Sequence, residues 1–321
     1  MHYRLTVLEP LPGCRTALPR AINLHGWVVG YSQSTLQNSE IPTLWVSGKP
    51  RQLTSFDLGQ PLDINDKNEI LFGYYILLPS GKKIELDQSH RRYQAIAINN
   101  KSRIAGMEEG VVHDWAVAHY SYGRWNRLEL FEWEGSDAKD INDEGTVAGW
   151  YAGEKSGWSA GDACIWVNGH RRLLGCLPNR DSGHALKINN RNQVVGFCYE
   201  AAQHVRHGKS RHRAFLWHRG KMRDLGALNS EGDSCARGIN DHGVIVGWSS
   251  RLRPAKDALG PRLPTYAVAW HRHRILDLNT LVKSPTGFHL DTASDINNKG
   301  QIIGTMIDSK KQEKGFLLTP Y

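Results

Sequence analysis

The sequence predicts a closed seven-bladed β-propeller with four-stranded blades, forming a single domain over residues 1–321. A short motif recurs seven times, a second strand-like motif lies between its copies, and the two chain ends each supply part of one further unit. Helical periodicity is absent throughout. Four-stranded units with two apolar faces bury those faces only against copies of themselves, which predicts a propeller.

The first motif is Ile-Asn, then polar residues, then two apolar residues and Gly. The Gly follows the Asn by seven residues in every copy but the second, where Gly73 follows Asn65 by eight. This pattern predicts two strands joined by a tight turn. The Ile-Asn pairs are residues 22–23, 64–65, 98–99, 141–142, 188–189, 239–240 and 296–297.

The second motif predicts the third and fourth strands of each blade. It reads CIWVNGHRRLL from Cys164 and AFLWHRGKMRDLG from Ala214, with predicted turns at Asn168-Gly169 and Arg219-Gly220. A Trp recurs in the third strand, and we interpret it as packing between blades rather than as a ligand contact. These residues are Trp45, Trp166, Trp217 and Trp270.

The chain ends predict how the ring closes. GFLLTPY at the C-terminus supplies a third strand without a fourth, and HYRLTVLEPL at the N-terminus resembles a fourth strand without its partners. Pairing the two in blade seven would remove the free sheet edges that an open array exposes.

The two motifs together resemble the HAF-repeat proteins of bacteria. Arg213-Ala214-Phe215 stands where that family has His-Ala-Phe, and the resemblance extends over essentially the whole chain. It implies the propeller fold and no catalytic motif. Many members of that family look exported, whereas this sequence begins MHYRLTVLEP, without a basic and then apolar leader. We therefore expect a cytoplasmic protein.

Composition and motif content limit the kinds of partner, cofactor and metal that we expect. The formal charge of +8 favours an anionic partner. Five cysteines without a C-x-x-C pair predict reduced thiols, and the absence of phosphate-loop, zinc and dinucleotide motifs predicts no cofactor and no metal. No apolar run is long enough to span a membrane, so we expect no membrane insertion, and we expect a monomer.

Loop lengths indicate where a partner would bind. The connections after the second strands vary most, and long loops on a rigid scaffold are the usual place for binding. We expect the basic loops and the aromatic residues that follow the second-strand Gly to contact a protein or small molecule, although packing between blades also explains those aromatic residues. The candidate binding residues are Arg206, His207, Arg211, Arg251, Arg253, Trp150, Trp158, Trp248, Tyr31 and Tyr74.

Other polar residues suggest alternatives to a recognition protein. An enzyme would use His184 with Asp137 or Asp291 as acid and base at the channel mouth. A nucleic-acid-binding accessory protein is the second alternative. Asp63, Asp140 and Asp295 recur regularly before the motif Ile, so we interpret them as turn or channel hydrogen-bonders. His204, His207 and His212 are surrounded by cationic side chains, which argues against a metal site.

Overall fold

The computed structural model describes residues 2–35, 39–53, 59–86, 93–109, 115–128, 135–152, 161–200, 212–251, 264–282 and 287–321. It contains seven four-stranded antiparallel sheets arranged as a ring of blades, which confirms the predicted propeller. None of the helical segments in this part of the chain is long and apolar enough to cross a membrane.

Blades one to three follow the chain in order. Blade one comprises β2 (Cys14–Ile22), β3 (Val28–Ser34), β4 (Glu40–Val46) and β5 (Lys49–Gln52). Blade two comprises β6 (Asp63–Ile64), β7 (Ile70–Leu71), β8 (Tyr75–Leu77) and β9 (Lys83–Glu85). Blade three comprises β10 (Tyr93–Ile98), β11 (Ile104–Glu109), β12 (Trp115–Ser121) and β13 (Arg124–Arg127).

Blades four to seven complete the ring. Blade four comprises β14 (Gly135–Ile141), β15 (Val147–Ala152), β16 (Asp162–Val167) and β17 (His170–Leu173). Blade five comprises β18 (Ser182–Ile188), β19 (Val194–Tyr199), β20 (Arg213–His218) and β21 (Lys221–Asp224). Blade six comprises β22 (Ser234–Ile239), β23 (Ile245–Ser250), β24 (Thr265–His271) and β25 (Arg274–Asp277). Blade seven comprises β26 (Phe288–Ile296), β27 (Ile302–Asp308), β28 (Glu313–Pro320) and β1 (Tyr3–Leu8).

Antiparallel order divides the connections between two faces of the ring. The turns from first to second strand and from third to fourth strand lie on one face, which we call the turn face. The loops from second to third strand and the links between blades lie on the opposite face, which we call the loop face.

The N-terminal strand closes blade seven, as the sequence predicted. β1 pairs antiparallel with β28, from Tyr3 opposite Pro320 to Leu8 opposite Gly315. The side chains of Tyr3 and Leu8 are buried. The outer edge of β28 is therefore covered by a strand from the other end of the chain.

The third-strand Trp residues pack between blades. Trp166 of blade four packs with Ala97, Ala105 and Val117 of blade three, and Trp45 of blade one packs with Ile303 and other residues of blade seven. All four Trp side chains are buried. Their predicted role as packing residues is confirmed.

The motif Gly accommodates a bulge in the first strand. In blade five the pairing register shifts between Ala185 and Lys187, and a Cβ on Gly196 would lie 1.9 Å from the His184 carbonyl oxygen. Blade two has the longer spacing, and there a Cβ on Gly73 would meet nothing closer than 4.0 Å. The motif therefore requires Gly where the bulged strand presses its carbonyl against the neighbouring strand.

The motif Asn residues link the blades into a closed ring of hydrogen bonds. In each blade the Asn side-chain amide donates to the backbone carbonyl of the equivalent Asn in the next blade, at 2.7–3.2 Å. The last bond runs from Asn297 in blade seven to Asn23 in blade one, at 2.8 Å. The chain order of these residues is Asn23, Asn65, Asn99, Asn142, Asn189, Asn240 and Asn297.

Candidate functional site

Six aromatic rings form a continuous surface across blades four, five and six on the loop face. The rings of Trp150 and His184 stack with centroids 4.8 Å apart and planes 11° apart, and Phe197 lies 4.7 Å from His212. All six side chains are partly exposed. We call Trp150, His184, Phe197, Tyr199, His212 and Trp248 the aromatic strip.

The bulged first strand explains why His184 belongs to the strip. His184 lies opposite Phe197 in the β18–β19 pair, one residue before the register shift begins, and its ring packs against Trp150 from the preceding blade. Tyr199 Oη lies 3.4 Å from His184 Nε2. The strip therefore combines packing between blades with a partly exposed ring surface.

The electrostatics of His184 favour its neutral form. Burial, and to a smaller extent the neighbouring Lys139 and His212, lower the pKa of His184 to about 4. Burial also lowers the pKa of His212. At neutral pH His184 therefore lacks the proton that a general acid must supply.

The structure does not assemble the acid–base pair proposed from the sequence. One carboxylate oxygen of Asp137 accepts a hydrogen bond from the Trp150 indole at 3.2 Å and pairs with Lys139. Asp291 lies in blade seven, where it accepts a hydrogen bond from the Thr265 hydroxyl. Asp137 and Asp291 are thus engaged with other partners, and His184 is held by rings.

The remaining candidate binding residues that the structure describes lie elsewhere on the loop face. Tyr31 and Tyr74 lie in blades one and two, away from the strip in blades four to six. Arg251 pairs with Asp277 at 2.6 Å and lies over the Tyr266 ring. The other predicted residues lie outside the described part of the chain: Arg206, His207, Arg211, Arg253 and Trp158.

The axial channel forms a second polar site, at the turn face. A cavity of about 150 Å³ is lined by the motif residues of all seven blades. Lys187 contributes an ammonium group here, 3.4 Å from Asp140 Oδ1. Sequence reasoning missed Lys187, although it occupies the same motif position as Asp63, Asp140 and Asp295.

The three channel aspartates join neighbouring blades. Asp63 accepts a hydrogen bond from the backbone N–H of Ile98 at 3.0 Å, and Asp140 accepts one from Ile188 at 2.8 Å. Asp295 closes the ring by accepting one from Ile22 at 3.2 Å. Their interpretation as channel hydrogen-bonders is confirmed.

Charge in the channel is only partly balanced. Burial raises the pKa of Asp140 to about 6, against the opposing effect of Lys187. Burial likewise raises the pKa of Asp295. Burial opposes the charge of Lys187, but the carboxylates of Asp140, Asp295 and Asp63 outweigh it and raise the pKa of Lys187. The channel is therefore a structural charge cluster in which one ammonium group, that of Lys187, faces three carboxylates.

Comparison with known proteins supports the fold. No protein-family model matches the chain, and no curated protein matches it significantly. The propeller domain of the trilobed protease from Pyrococcus furiosus gives a TM-score of 0.62 at 7% identity, covering 99% of this chain and 95% of that chain. That domain is described as an open velcro topology, whereas here β1 pairs with β28.

Two peptidases contain a similar propeller. Acylaminoacyl peptidase from Pyrococcus horikoshii gives a TM-score of 0.58 at 10% identity, covering 95% of this chain and 51% of that chain. A prolyl endopeptidase gives 0.57 at 9% identity, covering 100% of this chain and 50% of that chain. This chain therefore spans about half the length of these peptidases. At such low identity the similarities establish the propeller fold alone, and the resemblance to HAF-repeat proteins stays a prediction.

Proposed function

We propose that the protein is a non-catalytic recognition propeller that binds an anionic or ring-containing partner on its loop face. The aromatic strip is the contact surface, and the basic residues of 201–211, which follow strip residues along the chain, supply charge complementarity. The single observation behind this proposal is the contiguity of six partly exposed rings from three adjacent blades.

Aromatic stacking and charge complementarity would both contribute to binding at this surface. Aromatic side chains present a large apolar area with little conformational entropy to lose on binding. Residues 201–211 connect β19 to β20, directly after strip residues Phe197 and Tyr199, and include Arg206, His207 and Arg211. A partner that combines a planar group with negative charge would match both features.

The alternative of an acid–base enzyme has weaker support. The pKa of His184 is lowered mainly by burial, and both candidate carboxylates are engaged elsewhere. Nucleic-acid binding at the loop face fits the basic residues of the loops. These residues favour any anionic partner equally, and nothing in the described part of the chain favours nucleic acid in particular.

Affinity capture from the native host tests the proposal. Immobilised wild-type protein and a Trp150→Ala, Trp248→Ala variant would be compared by mass spectrometry of retained proteins and small molecules. We expect one partner to be retained by the wild type and lost by the variant. Trp150→Phe with Trp248→Phe should restore part of the binding, because the phenyl rings preserve stacking.

The control is Tyr122→Ala, which removes an exposed ring from the turn face and should leave this partner bound. Retention of the partner by the folded double alanine variant would contradict the proposal. If His184→Ala then abolished a chemical turnover, the enzyme alternative would replace it.

A further inference from the structure

The turns between third and fourth strands hold large side chains in a strained backbone conformation. Tyr122 has φ 53°, Arg219 has φ 50° and Arg272 has φ 49°, and each begins a two-residue hairpin turn. Blade four has Asn168 at this position, and Asn tolerates positive φ better than other residues that carry a Cβ. A left-handed conformation at a bulky residue costs on the order of 1 kcal/mol. These side chains are exposed, so packing does not offset this cost.

A ring of basic side chains, five of them Lys or Arg, follows the same turns. In blades one to six, the first residue after the turn between the third and fourth strands is basic and exposed. The turns themselves contain no acidic residue. The ring consists of Lys49, Lys82, Arg124, His170, Lys221 and Arg274. We call it the outer basic ring.

A second ring lies closer to the axis. The residue two positions after the motif Asn is basic and exposed in every blade except the fourth, which has Glu144. Glu144 pairs with Lys101 at 3.5 Å. The inner basic ring consists of His25, Lys67, Lys101, Arg191, His242 and Lys299.

The two rings share one face of the molecule. Antiparallel order places both sets of turns at the same end of the blades. One groove on this face is lined by Gly243 from the inner turns together with His271, Arg272 and His273 from the outer turns. The outer turns therefore form a predominantly basic ring. It surrounds inner turns in which basic residues alternate with the carboxylates of Asp66, Glu69, Asp143, Glu144 and Asp241.

Two exposed tyrosines accompany these charges. Tyr122 is 94% exposed at the tip of its turn, and Tyr321 is 61% exposed at the end of blade seven. Tyrosine places an apolar ring and a polar hydroxyl together, which suits the boundary between lipid headgroups and acyl chains.

We propose that the turn face docks reversibly on an anionic lipid bilayer. A planar bilayer meets the cations of the outer basic ring on all sides of the face at once, and each Lys or Arg near an anionic leaflet contributes about 1 kcal/mol. The carboxylates of Asp66, Asp143 and Asp241 lie at the channel mouth, inside this ring. This docking is independent of the partner proposed for the loop face.

Vesicle sedimentation tests the proposal. The full chain should bind vesicles that contain phosphatidylglycerol, should not bind vesicles of phosphatidylcholine alone, and should be released by salt. The variant Lys49→Glu, Arg191→Glu, Lys221→Glu, Lys299→Glu changes four exposed residues. We expect it to bind at least tenfold more weakly.

The matched control reverses four exposed charges at the loop face: Arg15→Glu, Arg20→Glu, Lys310→Glu and Lys311→Glu. It should bind vesicles as the wild type does. Equal loss in both variants would reduce the effect to net charge and overturn the proposal. Absence of wild-type binding to anionic vesicles would overturn it as well, and turn-face-dependent binding of duplex DNA without vesicle binding would replace lipid with nucleic acid.

The strained turns allow a test that distinguishes a docking role of these side chains from a purely structural role. Replacing Tyr122, Arg219 and Arg272 by Asn relaxes three left-handed residues, so the melting temperature should rise. Vesicle binding should fall several-fold in the same variant. A variant that is more stable and binds equally well would contradict the assignment of these side chains to docking.

Discussion

At the residue scale, the motif Asn performs two tasks that no other side chain of its size combines. In blade five the Asn189 amide donates to the Asn240 carbonyl of the next blade, while its oxygen accepts from the backbone N–H groups of Arg191 and Gln193. Asp lacks the donor, and Ser lacks the reach for both. The Asn thus shapes the turn and joins the blades.

Replacing Asn189 by Ala should lower the free energy of unfolding by about 3 kcal/mol. The substitution leaves buried backbone groups without partners, at roughly 1–3 kcal/mol each. The neighbouring Asn190 is exposed and bonds to Asp143 and Asp241, so Asn190→Ala should cost less than about 1 kcal/mol. Urea unfolding measures both, and equal effects would contradict the role of the buried ring.

Asp140 should make the stability of the protein depend on pH. Its pKa rises from 3.8 to about 6 in the folded state because burial disfavours the charge. The stabilising effect of the protonated form is full below the unfolded pKa and is lost as pH rises through about 6. Asp140→Asn keeps an acceptor for Ile188 and removes the charge.

The unfolding free energy of this variant, relative to wild type, should therefore increase between pH 4 and pH 7 by roughly 2 kcal/mol. Urea denaturation at both pH values measures the difference. If this difference in unfolding free energy stays constant with pH, the ionised Asp140 side chain does not destabilise the folded protein.

At the element scale, the Gly of the second strand is coupled to the bulge of the first. Gly196→Ala should destabilise the protein by at least about 3 kcal/mol, because the new Cβ meets the His184 carbonyl oxygen. Gly73→Ala is the matched control in the blade with open space, and it should change stability by less than about 1 kcal/mol. Thermal unfolding compares the two, and similar effects would refute the coupling.

Motif spacing predicted the strands and their order but not the bulges. The seven-residue interval between Asn and Gly was visible, and so was the eight-residue exception at Gly73. A bulge shifts which first-strand side chains face the axis, and no residue type marks it. That shift explains why the contact of His184 with Trp150 was not expected. Lys187 was missed for a different reason, because the recurring aspartates at its motif position drew attention to carboxylates alone.

At the scale of the whole molecule, the sequence predicted the closed ring because both chain ends contained recognisable fragments of one blade. It did not predict the distribution of charge between the faces. The basic turn residues are spread singly along the chain, and only the propeller topology collects Lys67, Lys101 and Lys299 on one face. A charge pattern with the period of a whole blade is visible only after the repeats are aligned.

The N-terminal strand closes the ring by completing blade seven. Deleting residues 1–9 removes the buried side chains of Tyr3 and Leu8, each worth about 1.5–3 kcal/mol, and exposes the edge of β28. The most direct measurement is the urea unfolding of this deletion variant, alone and with a synthetic peptide of residues 1–9 added. We predict that the variant loses several kcal/mol of stability and regains part of it with the peptide; an unfolding midpoint equal to that of the full chain would contradict closure by this strand.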